Sequence, residues 1–124
     1  MRIIDTKSLL VSVEHSQWPF PYLESSAADN DCYEANIVGV MAYEDGANEY
    51  IDVYYNANSE TTGCNFRVRY DLDSKAYQDL MVALEKSGCG GHTLDTAVGH
   101  VIQITIDDDD NGQQCIRTHR ALNA

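Results

Sequence analysis

The chain has 124 residues, 44 % of them hydrophobic, with eight Tyr and only two Pro, the composition of one folded domain over 1–124 and not of a disordered segment. Twenty Asp and Glu against eight Lys and Arg give a formal net charge of −12, which excludes nonspecific attraction to duplex DNA or to an anionic membrane, since both are polyanions. No run approaches the roughly 18 apolar residues that span a bilayer and the first residues lack the apolar core of a signal peptide, so a cytoplasmic location with no membrane partner is expected. In that reducing setting the four cysteines read as free thiols.

In chain order, residues 8–14, SLLVSVE, have the apolar, β-branched bias of a strand. A loop rich in Ser, Asp, Pro and aromatics follows over 15–31, and its Trp18 to Tyr22 core is expected to bury against the sheet, because aromatics supply large apolar area. Residues 33–43, YEANIVGVMAY, and 49–56, EYIDVYYN, flank EDGAN, whose Asp-Gly pair suits a hairpin turn. Alternation along the second strand puts Ile51, Val53 and Tyr55 on a core face and Tyr50, Asp52 and Tyr54 on the opposite one.

Residues 65–72 alternate again, with Phe66, Val68 and Tyr70 inward and Arg67, Arg69 and Asp71 outward. Ser74 then has the chemistry of an N-cap, and Tyr77, Leu80, Met81 and Leu84 recur at i, i+3, i+4 and i+7, so the spacing predicts a helix over 74–88 that stops at Gly88. Residues 98–106, VGHVIQITI, read as a strand, 107–112 as an acidic turn, and 113–122, QQCIRTHRAL, as the returning strand. The acidic run lacks the alternate carboxylates, central Gly and closing Glu of an EF-hand loop, so it reads as solvated. Strands, one helix, then strands is the order of the OB-fold, a five-stranded, partly open barrel with its helix between strands 3 and 4.

The stretches YEANIVGVMAYEDG with EYIDVYYNA, RVRYDLDSKAYQDLMVALEKSG, and VGHVIQITIDDDDNGQQCIRTH together resemble phage OB-fold proteins of recombination loci that look like single-stranded DNA-binding proteins. The resemblance covers about two thirds of the chain, 33–118, and implies an OB-fold-like barrel and single-stranded DNA binding in a phage or prophage setting. The chain departs from that family's pattern in charge, because lysine-rich strands are missing.

Two sets of residues carry the binding readings. Tyr50 and Tyr54 share one strand face and Arg67 and Arg69 share the next, so together they would form either a stacking platform edged with guanidinium groups or a set of ordinary cross-strand partners in which Asp52 pairs with Arg67 or Arg69. A base stacked on an aromatic ring is worth about 1 to 3 kcal/mol, and with Asp52, Asp71 and Asp73 at its border such a platform would bind weakly and salt-sensitively. The alternative is an acidic, DNA-mimic-type inhibitor of a basic host protein of nucleic-acid metabolism or CRISPR defence. It would act through Glu44, Asp45, Glu49 and Asp52 at the first hairpin and Asp107, Asp108, Asp109 and Asp110 at the second.

A zinc site would draw on Cys89, His92, Cys115 and His119, which supply two thiolates and two imidazoles. Four strand steps at roughly 3.3 Å separate Cys115 from His119 by about 13 Å, too far for one ion unless the strand bends, so no metal or other cofactor is expected. No Ser-centred elbow, HExxH or phosphate loop occurs, and the chain reads as a binding protein and not an enzyme.

Overall fold

The computed structural model describes residues 20–23, 29–45, 48–88 and 97–122, excluding the side chains of 43–48. The run at 8–14, Trp18, Cys89 and His92 therefore lie outside the described residues, as do the side chains of Glu44 and Asp45. The elements follow in the order β1 (Cys32–Asp45), β2 (Asn48–Asn58), β3 (Gly63–Asp71), α1 (Lys75–Lys86), β4 (Val101–Asp108) and β5 (Gln114–Ala121). All strand pairs are antiparallel, and they make one sheet ordered β3-β2-β1-β4-β5.

The expected barrel is not closed: β3 and β5 are the two edges of the sheet. What joins the edges is side chain. The Tyr70 hydroxyl on β3 meets His119 Nε2 on β5 at 2.8 Å, and α1 packs on β5 and touches β3. The long β1 pairs with β2 along its length, while its first residues, Cys32 to Asn36, also pair with β4. A register shift between Ile37 and Gly39 marks where β1 bends, as an extra residue in one strand does. There the Ile37 amide donates to the His100 carbonyl at 2.9 Å and the Gly99 amide to the Ile37 carbonyl at 2.8 Å. Gly99 has φ +95°, so 97–100 turn and β4 starts at Val101, not at 98 as the β-branched run predicts.

The helix follows the sequence signals. Ser74 accepts a hydrogen bond from the Tyr77 amide at 3.1 Å, satisfying one of the amides that a helix start leaves without a partner. The buried stripe is Tyr77, Leu80, Ala83 and Leu84, with Met81 partly buried beside it. Past the last turn the Gly88 amide donates to Glu85 and Gly88 takes φ +94°, the left-handed stop that glycine adopts without steric cost.

The core lies between α1 and the inner face of the curled sheet. It holds Ile37, Ile51, Val53, Tyr55, Phe66 and Tyr70, with Ile102, Ile104 and Ile106 of β4. The residues expected inward on β2 and β3 are there. The opposite face of β2 is covered as well, because the Phe20 and Tyr22 side chains of segment 20–23 reach over it: Phe20 is buried, Tyr54 is 1 % exposed and Asp52 is fully enclosed at 0 %.

Candidate functional site

The outward row of β2 meets the outward row of β3 in register, Tyr50 opposite Asp71, Asp52 opposite Arg69 and Tyr54 opposite Arg67. Alternation on two paired strands therefore brings Tyr50, Tyr54, Arg67 and Arg69 to one face. Segment 20–23 runs beside β3 and sends the Phe20 and Tyr22 side chains onto that face. The Arg67 amide donates to the Pro21 carbonyl at 3.0 Å and Tyr22 bridges to Arg67 in parallel, so β3 carries one backbone bond from this segment.

Asp52 is the hub. Arg69 donates to it through Nε at 2.8 Å and Nη2 at 3.2 Å, Tyr22 donates its hydroxyl at 2.9 Å, and Arg67 Nη1 stands 3.9 Å away. A carboxylate taken out of water is tolerated only when donors of this kind surround it. The hydrogen bond to Asp52 holds the Arg69 guanidinium well above the usual arginine range, against the opposing effect of burial. For Arg67, burial pulls downward and is outweighed by its hydrogen bond to Tyr54 and by the charges nearby. Tyr22 is raised by burial first and then by Asp52, so its phenol stays protonated and remains a donor.

The aromatic contacts divide into two roles. Tyr54 is structural: Phe20 packs edge-on against it with centroids 5.4 Å apart, and Arg67 Nη1 donates to its hydroxyl at 3.2 Å. It presents no open ring for a ligand, which corrects the expectation of two exposed tyrosines. Tyr50 is half-buried, and the Arg69 guanidinium lies 4.3 Å from its ring centroid. Both guanidiniums also reach the Tyr22 ring, Arg67 at 4.2 Å and Arg69 at 5.2 Å. The face thus carries two arginines against one buried carboxylate.

Beside the arginines, between β3 and β5, opens a cavity of about 430 Å³ whose lining includes Tyr22, Leu23, Arg67, Arg69, Tyr70 and His119. At its inner end Tyr55, Tyr70 and His119 form a buried hydrogen-bond chain of 2.7 and 2.8 Å. His119 Nδ1 has no partner. If Tyr55 donates to Tyr70 and Tyr70 donates to Nε2, only Nδ1–H stays unsatisfied; the reverse direction strands the Tyr55 proton and the Nδ1 lone pair both. Each stranded buried group costs about 1 to 3 kcal/mol, so the network assigns the imidazole proton to Nδ1. Burial lowers the His119 pKa to about 4, with Asp79 opposing, and the ring is neutral at pH 7.

Cys115 lines the same cavity as His119, and burial pushes its thiol up. His119 is committed to Tyr70, and among the described residues no group of three or more His, Cys, Asp and Glu can hold a metal ion. Among those residues Cys32, Cys64 and Cys115 are free thiols.

The acidic residues separate. Asp52 is buried and leaves the acidic surface, while Glu49 is half-buried. Asp107 and Asp108 belong to β4 and pair with Cys115 and Gln114, so the acidic turn is shorter than 107–112. Arg117 reaches the Asp107 carboxylate at 3.6 Å and the Asp108 carbonyl at 3.1 Å. Asp109 Oδ1 accepts from the Asn111 amide at 2.8 Å and the Gln113 amide at 2.9 Å, fixing the turn, and Asp110 is exposed.

Sequence reasoning missed Tyr22, the enclosure of Asp52 and the Tyr55–Tyr70–His119 chain. The available signal was Asp52 itself, a charge flanked by Ile51 and Val53 in mid-strand with Arg69 on the neighbouring strand. Comparisons with protein-family models, with curated proteins and with solved structures find no match for this chain.

Proposed function

We propose that the chain is an OB-fold-like accessory protein of phage or prophage origin, a binding module and not an enzyme, that binds single-stranded DNA weakly on the β2–β3 face. The sheet order and the helix between β3 and β4 support an OB-like barrel left open between strands 3 and 5, and in that architecture the face of strands 2 and 3 takes oligonucleotides. The observation that carries the reading is the grouping of Arg67 and Arg69 with Tyr50 beside the cavity. In it, the guanidiniums take phosphate or stack on a base, and Tyr50 offers a ring edge. With Asp52 cancelling one of the two positive charges and a net charge of −12, affinity is low and falls with salt.

Anisotropy titration of labelled oligo-dT at low and at moderate salt tests this. Binding is expected at low salt, weaker at moderate salt, and lost in Tyr50→Ala/Arg69→Ala. A flat low-salt titration for the parent contradicts the reading.

The second reading is an acidic inhibitor of a basic host protein, of the DNA-mimic or anti-CRISPR type. Its support is the exposed Asp107 and Asp108 at the end of β4 and the exposed Asp110 on the turn held by Asp109. It calls for salt-sensitive capture of a basic protein that weakens in Asp107→Asn/Asp108→Asn/Asp110→Asn; unchanged capture by that variant removes it.

A further inference from the structure

Tyr22 does on this face what a bound base would do. Its ring lies within reach of both guanidiniums, at 4.2 Å and 5.2 Å. Its hydroxyl donates to Asp52 at 2.9 Å and accepts from Arg69 Nη2 at 2.6 Å. A flat ring that stacks on arginine while offering a donor and an acceptor at its edge is also the description of a nucleobase; thymine does so with N3–H and its carbonyl oxygens. The rest of segment 20–23 secures the ring. Phe20 packs on Tyr54, Pro21 takes the Arg67 amide, and Leu23 enters the core.

We infer that the Tyr22 ring stands where a stacked base binds, so that the Tyr22 side chain is an intramolecular competitor which an incoming single strand displaces from Arg67, Arg69 and Asp52. This rests on the reading of the β2–β3 face as a single-strand site. It adds a ligand position: one base edge against Asp52 and Arg69, with its ring on the guanidiniums. Apparent affinity is then the intrinsic affinity reduced by the fraction of molecules in which the face is open.

The test is oligo-dT anisotropy at low salt on the whole chain, comparing the parent with Tyr22→Ala and Tyr22→Phe, each checked for folding by thermal melting. Removing the ring is expected to tighten binding about tenfold, the gain when a face one-tenth open becomes fully open. Tyr22→Phe keeps the ring, loses both edge hydrogen bonds, and is expected to give a smaller gain in the same direction. Parent binding with equal or weaker binding by folded Tyr22→Ala overturns the inference and leaves the single-strand reading standing, with Tyr22 as part of the platform. Should Tyr22→Ala not fold, Tyr22→Phe decides: tighter binding supports competition, and unchanged or weaker binding overturns it. Binding by Tyr22→Ala with a flat parent titration supports competition for the face while contradicting single-strand binding by the parent, whereas no binding by the parent or by any folded variant overturns both.

Discussion

Asp52 and Tyr54 are both given to stability, whereas Tyr50 on the same face of β2 is only half-buried. Asp52 is enclosed at 0 % exposure, and its Arg69 and Tyr22 partners all donate to it. Asp52→Asn keeps the shape but turns an acceptor oxygen into an amide facing N–H groups, and should cost about 2 kcal/mol in urea unfolding, since it breaks a buried pair whose arginine half is partly wet. A loss below about 0.5 kcal/mol would mean the carboxylate is not the hub. Tyr54→Ala is expected to cost about 3 kcal/mol, as for other buried aromatic truncations, and Tyr50→Ala under about 1 kcal/mol. Equal costs would refute the division between a structural and an accessible tyrosine. His119 gives a pH signature. Its folded pKa is about 4 against an unfolded 6.5, so between those values the unfolded chain binds a proton that the folded chain refuses. Stability from this site is complete above pH 6.5 and declines as pH falls toward 4, by up to roughly 3 kcal/mol. His119→Gln, which still offers Tyr70 a partner, should show a flatter stability profile over that window than the parent; parallel profiles would contradict it.

Among the elements, those governed by local rules were legible in the sequence. The apolar stripe and Ser74 locate α1, and Ser74→Ala should cost about 1 kcal/mol through the lost bond to the Tyr77 amide, read as a lower urea midpoint with unchanged slope. The β1–β2 hairpin and the inner faces of β2 and β3 follow from turn residues and alternation. Alternation names the residues that share a face, but it does not say whether a distant segment lies over that face. Tyr22 reaches Asp52 across 30 positions, and no periodicity within 49–56 carries that contact. The bulges were hidden for a related reason. In β4–β5 the register shifts between Thr105 and Ile106, which breaks the simple four-step geometry assumed for Cys115 and His119. The acidic run misled as well: four aspartates read as loop, yet Asp107 and Asp108 pair with Cys115 and Gln114 in the ladder.

At the scale of the whole molecule, a chain of net charge −12 brings Arg67 and Arg69 together on the edge strand β3 of an open sheet. At that charge, any polyanion is repelled at long range, so the proposed single-strand binding would have to rest on short-range stacking and hydrogen bonds. The open gap between β3 and β5, closed by Tyr70 and His119 and by α1, leaves the cavity beside those arginines. Backbone amide chemical-shift mapping with oligo-dT at low salt tests the central claim most directly. The account predicts shifts concentrated at Tyr50 to Tyr54, Arg67 to Asp71 and Tyr22 and absent from Asp107 to Gly112; shifts centred on that acidic turn, or none at saturating oligonucleotide, would contradict it.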